Sequence, residues 1–126
     1  MNEIELKNRT KIFAIRIIKL VRELMKDSVG KIIAGQLLRS GTSVAANYRA
    51  VCRAKSGKDF INKLAVVIEE ADETTFWLEV VIEAGIVKAI LVKDLLKEAN
   101  EITAIMVASR HSAIKNQKIN KSNQSS

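Results

Sequence analysis

The chain has 126 residues, 48% of them apolar, which is long enough to bury one core and too short for two full ones. It holds no proline, five glycines, one cysteine and one histidine, a composition that argues against sandwiches and barrels, excludes a disulfide framework or a cysteine-based zinc site, and leaves a histidine-dependent triad little to work with. No apolar run approaches the ~18 residues of a membrane span, and the opening MNEIELKNRTK lacks a signal-peptide core, so a soluble, cytoplasmic, helical protein with a formal charge of +7 is expected.

The charge is unevenly placed. Residues 1–31 carry eight Lys or Arg against four Asp or Glu, and residues 32–63 carry six against one. Residues 64–109 reverse the balance with three against nine, and residues 110–126 return to four against none. Such a chain can pair its own faces, or those of identical neighbours, and still leave positive surface over.

The first helical period runs from Thr10 to Met25. Phe13, Ile17, Leu20 and Leu24 recur at helical spacing, and Ile18, Val21 and Met25 widen the apolar stripe. Lys11, Arg16, Lys19, Arg22 and Lys26 fall within about 140° on the other side. Asp27-Ser28 followed by Gly30 supplies a stop and a new cap. A second helix is predicted over residues 30–54, with Ile33, Leu37, Val44, Tyr48 and Val51 on one face. Its middle carries Ser40-Gly41-Thr42-Ser43 and Ala45-Ala46, where larger helix formers would be expected. Gly41 costs roughly 1 kcal/mol relative to alanine in a helix interior, and a close helix approach is the simplest compensation. Gln36, Ser40, Ser43 and Asn47 make a polar stripe, and Lys31, Arg39, Arg49 and Arg53 make a basic stripe about 40° wide.

Ser56 followed three residues later by Asp59 resembles a capping box ahead of a third helix. That helix runs to about Ala84, with Phe60, Leu64, Val67, Ile68, Ala71, Leu78 and Ile82 inward and Gly85 as its C-terminal stop. A fourth helix is predicted from Val92 to Ile114 on Leu95, Leu96, Ala99, Ile102, Ile105 and Met106. Residues 115–126, rich in Asn, Gln, Ser and Lys, read as a basic, polar, disordered tail. The domain reading is therefore a four-helix bundle over residues 1–114, up-down-up-down because the links are short.

No pattern reads as catalytic. Glu69, Glu70, Glu73, Glu79 and Glu83 share faces of the third helix, but a di-iron bundle needs Glu-x-x-His motifs, and Ala108 stands three residues before the sole histidine, His111. Glu70 and Glu73 are expected to meet Arg, Lys or polar groups of a neighbouring helix. Cys52 reads as a buried thiol, Ser40 and Ser43 as hydrogen-bonding groups, and Phe76 and Trp77 as core or subunit contacts. No cofactor and no metal are expected. The basic stripes remain as functional candidates, suited to phosphate contacts rather than base stacking, because aromatic residues make up only 4% of the chain.

The run QLLRSGTSVAANYRAVCRAKSGKDF from Gln36 to Phe60, with Phe13, Arg16 and Ile17 before it and Glu70-x-x-Glu73-Thr74-x-x-Trp77-Leu78 after it, carries a resemblance. It resembles the four-helix-bundle proteins encoded in intervening sequences of bacterial large-subunit ribosomal RNA, closely over residues 8–85 and only in character over the fourth helix. Glu69 departs from the pattern, since the family often has a lysine there. The resemblance implies an antiparallel bundle assembled as a homopentamer. It also implies kinship with the accessory protein of diversity-generating retroelements, a basic pentamer that contacts a reverse transcriptase and nucleic acid. No catalytic residues come with it. By match to its motif, Ser40, Ser43, Asn47, Tyr48, Asp59, Lys63, Glu70, Glu73 and Trp77 are expected, with Gly41, to build the bundle and its subunit contacts.

Two readings follow. In the first, a non-enzymatic oligomer binds RNA, DNA or a ribonucleoprotein by charge through Lys11, Arg16, Lys19, Lys26, Arg39, Arg49 and Arg53. In the second, the protein is a structural or protein-interaction scaffold whose basic stripes are solvated or matched by acidic faces. They differ in whether these cations converge on one surface or pair with carboxylates of the third helix.

Overall fold

The computed structural model describes residues 1–125, and among them every regular element is helical. The four α-helices are α1 (Glu3–Leu24), α2 (Ser28–Val51), α3 (Gly57–Glu83) and α4 (Lys93–Ser125), with a single 3₁₀ turn at Ala89–Leu91 before α4. α2 packs against both α1 and α3, α3 packs against α4, and α1 and α4 meet more sparingly.

The first three helices each start where a side chain can satisfy unpaired N–H groups. The Asn2 side chain accepts from the Glu5 amide at 2.9 Å, Asp27 from Gly30 at 2.8 Å, and Ser56 from Asp59 at 3.0 Å. Asp59 reaches back one residue beyond a standard capping box, accepting from the Lys55 amide at 3.0 Å. α3 ends in a Schellman arrangement: Gly85 has a φ of 67°, its N–H donates to Ile82, and the Ile86 N–H donates to Val81. The positive φ is the reason for glycine there.

All four helices contribute to one core. Phe13 and Ile17 of α1, Leu37 and Val44 of α2, Leu64 and Leu78 of α3, and Ile102 and Met106 of α4 are almost wholly buried. Burying a side chain of this size contributes roughly 1.5–3 kcal/mol. The apolar periods read from sequence lie on this core except for two residues of the first, Ile18, which is only partly buried, and Met25, which is half exposed.

Two boundaries differ from the sequence expectation. α1 begins at Glu3 rather than Thr10, because Leu6 extends the buried stripe and Thr10 is itself buried, its hydroxyl donating to the Leu6 and Lys7 carbonyls at 3.0 Å. α4 runs through residues 115–125, where a disordered tail was expected. That stretch contains no glycine or proline to break it, and the Gln117 side chain packs directly on Gly57. Ser126, the last residue of the expected tail, lies outside the described residues.

Candidate functional site

α1 and α2 approach closely at Gly41, where a β-carbon would lie 2.8 Å from Ile17 Cγ1 and Cγ2. Beyond it Thr42, Ala45 and Ala46 keep the α2 surface low. They leave a groove of about 530 Å³ whose other walls are Ile4, Lys7, Asn8 and Lys11 of α1 and Arg49 of α2. Three cations and no carboxylate line it. The Thr42 hydroxyl is committed to the Leu38 and Arg39 carbonyls at 2.6 and 3.3 Å, so the polar capacity of the groove rests mainly on Lys7, Lys11, Arg49 and Asn8. Such a trough can hold an anion or a phosphate chain.

The seven predicted cations do not converge. Lys11 and Arg49 share the groove, and Arg53 is exposed just past the end of α2. Arg16 and Lys19 sit on a separate, smaller depression of about 260 Å³ with Glu23, Leu91 and Leu95, and the charge of Arg16 reaches Glu98. Lys26 pairs with Glu23 of its own helix at 3.0 Å. Arg39 bridges to α3, donating to Glu70 at 3.1 Å and also to Glu73. Those two carboxylates therefore meet an arginine of the neighbouring helix. Among the described residues, Lys11, Arg16, Lys19, Arg49 and Arg53 make no ion pair within 4.0 Å.

Two basic residues were missed. Lys7 lines the groove, but it lies in the opening segment where no apolar period had been recognised. Arg9 grips Glu98 through Nε at 2.8 Å and Nη2 at 2.6 Å, and Glu101 through Nη2 at 3.0 Å, tying α1 to α4. The hydrogen bond from Arg9 holds the Glu98 carboxyl below its usual range, against the opposing effect of partial burial. The only advance signal for Arg9 was the charge imbalance between the two segments.

The residues expected to build contacts do so in different ways. Ser40 is fully buried and accepts from the Thr74 hydroxyl at 2.9 Å, joining α2 to α3. Tyr48 is buried, Ser43 is half-buried, and the Asn47 amide donates to the Ser43 carbonyl at 2.9 Å within α2. Lys63 donates to Asp59 at 2.8 Å, one turn away on α3. Trp77 packs edge-on to the exposed Phe76 ring at 5.0 Å, and its buried indole N–H has no partner among the described residues. Cys52 is half-buried rather than buried. Desolvation, then the neighbouring Glu3, pushes its thiol up, which disfavours a thiolate nucleophile. Burial likewise raises the Tyr48 phenol. No group of three or more His, Cys, Asp or Glu side chains among the described residues could hold a metal ion, and no helix among them is long and apolar enough to cross a membrane.

Fold and surface together define a class: a four-helix, all-α protein with a cation-lined groove between its first two helices. The family model for 23S rRNA-intervening sequence proteins matches residues 2–108, and the chain belongs to that family. A crystal structure at 1.70 Å of a protein of unknown function from the S23 ribosomal protein family of Bacteroides thetaiotaomicron is similar, with a TM-score of 0.79 and 33% identity. The likeness covers 83% of this chain and 97% of that one. Among curated proteins there is no match.

Proposed function

We propose that this is a non-enzymatic, cytoplasmic protein whose four antiparallel helices assemble as a homo-oligomer, a pentamer by the resemblance, and that it binds RNA, DNA or a ribonucleoprotein by charge. The observation that carries the reading is the groove in which Lys7, Lys11 and Arg49 face one another with no carboxylate between them. A nucleic-acid backbone neutralised by such cations releases counterions, so affinity falls steeply with salt and discriminates little between sequences. Exposed apolar side chains such as Ile32 and Phe76 support self-association, and repetition of one weak basic surface around an oligomer would raise avidity. A reverse transcriptase or another nucleic-acid-processing protein is the partner class that fits this role.

The test is a salt series of binding to duplex RNA and duplex DNA, run beside a native mass measurement. Binding at about 50 mM salt that weakens linearly in log–log form supports the reading. No binding to either duplex there overturns it. A stable 14.0 kDa monomer at micromolar concentration removes the oligomer. The scaffold reading is favoured by one observation, the engagement of Arg39 by Glu70 and Glu73. It gains the whole protein if the oligomer forms and neither duplex binds.

A further inference from the structure

We infer that the phosphate-contacting surface is one end of the four-helix unit, formed by the start of α1, the α2–α3 link and the end of α4, rather than the basic stripes along α1 and α2. The inference rests on the nucleic-acid reading above and assigns it a place. Several contacts bring these segments together. Gln117 of α4 packs on Gly57 of the link, and Arg110 donates to the Ile61 carbonyl at 3.3 Å. A shallow cavity is lined jointly by Met1, Phe60, Ser112 and Asn116. Lys7 of α1 shares its groove with Arg49 of α2.

The charge at the two ends differs sharply. Residues 1–12, 46–64 and 108–125 hold twelve Lys or Arg against three Asp or Glu, and of the twelve Arg9 is engaged by Glu98 and Glu101 of α4. The opposite end, residues 19–33 and 78–97, holds seven against five. Of the three carboxylates at the basic end, Asp59 is already taken by Lys63 and the Lys55 amide. Arg53, Lys55 and Lys58 are exposed around the link and form no ion pair among the described residues, and Lys115 and Lys118 are exposed on the α4 turns beside it. The excess continues from the groove, through the link, onto the last turns of α4. A predominantly positive surface whose cations come from three separate segments concentrates potential as an isolated stripe does not. Its chemistry suits the closely spaced phosphodiesters of a nucleic-acid duplex, which both RNA and DNA present.

The experiment compares two charge reversals of equal size in the full chain: Arg53→Glu, Lys55→Glu and Lys58→Glu together, against Lys19→Glu, Arg22→Glu and Lys31→Glu together. All six positions are exposed, and a glutamate at position 58 suits the first turn of α3, so both proteins should keep their helical circular dichroism. Affinity for a duplex RNA and a duplex DNA is read across a salt series, and sedimentation is recorded for each protein. The expected result is a loss of at least tenfold for the link variant, with a salt slope on DNA shallower by roughly 2.7, three contacts at about 0.9 each. The opposite-end variant should change less than threefold. If both duplexes lose affinity together, the shared backbone is the ligand; if only one does, that nucleic acid is the source. Equal losses for the two variants overturn the placement while leaving nucleic-acid binding intact. A link variant that alters only the sedimentation makes this end a subunit contact and also overturns it. If the unaltered protein binds neither duplex, the nucleic-acid reading fails and the placement fails with it.

Discussion

Alanine in place of Gly41 tests whether the α1–α2 approach governs the fold around the groove. The added β-carbon would stand 2.8 Å from both Cγ1 and Cγ2 of Ile17 and 3.1 Å from its Cβ, against the ~3.5–4.0 Å at which carbon atoms pack without strain. Ile17 has no exposed surface to move into, and a β-branched side chain in a helix has essentially one rotamer. The helices must therefore separate by the better part of an ångström, at an overpacking cost of about 2–3 kcal/mol. Alanine returns about 1 kcal/mol of helix propensity, leaving a net loss of about 1–2 kcal/mol. In an Ile17→Ala background the obstructing atoms are gone, so the same Gly41→Ala change should stabilise by up to about 1 kcal/mol. The sign therefore inverts across the double-mutant cycle. Guanidinium denaturation followed by circular dichroism, at one fixed protein concentration so that any oligomer is held constant, measures all four corners. A Gly41→Ala protein more stable than the parent in the unmodified background would refute the close-approach argument.

Four further outcomes are expected. Ser56→Ala should cost about 0.5–2 kcal/mol by uncapping α3, read from the denaturation midpoint. Thr74→Val should cost about 0.5–1.5 kcal/mol, and Ser40→Ala should then cost less in that background than alone, because the two hydroxyls bond each other. Glu98 has a depressed carboxyl pKa in the folded state, so its stabilisation is present above the ordinary value of about 4.3 and is lost as pH falls through the folded value. The melting-temperature gap between the parent and Arg9→Met should narrow below about pH 4.5, and a gap constant down to pH 2 contradicts the assignment. Arg39→Gln should leave duplex affinity nearly unchanged, because that guanidinium is engaged by Glu70 and Glu73, whereas Arg49→Gln should weaken it; a salt series of duplex binding checks both.

The helices were legible because their punctuation is local. Asp27 and Ser56 cap the helices they precede, and Gly85 takes the left-handed conformation that ends α3. Gly41 was legible for a different reason: a costly residue amid other small ones implies a neighbour too close for a side chain. The opening of α1 was not recognised, because the apolar contributions between Glu3 and Thr10 come down to Leu6 and a threonine whose burial depends on hydrogen bonds to its own helix. The course of α4 past Ile114 was misjudged on composition. A polar segment has little reason to fold alone, but this one continues an existing helix, so it bears no nucleation cost, and Gln117 ties it to Gly57.

The candidate site was less legible than the fold, and the reason lies in how charge was counted. Along one helix, Arg39, Arg49 and Arg53 fall on a single stripe and look equivalent. In three dimensions Arg39 faces the carboxylates of α3 while Arg49 faces Lys7 and Lys11 across the groove. The acidic third quarter of the chain removes particular cations from the surface: Glu98 and Glu101 take Arg9, and Glu70 and Glu73 take Arg39. All four of these carboxylates lie in the middle of the unit or toward its less basic end. Lys7, Lys11 and Arg49 of the groove, Arg53, Lys55 and Lys58 at the link, and Lys115 and Lys118 of α4 therefore make no ion pair among the described residues. Which positive residues remain available depends on where the negative ones pack, and a one-dimensional charge profile gives the total without giving the place.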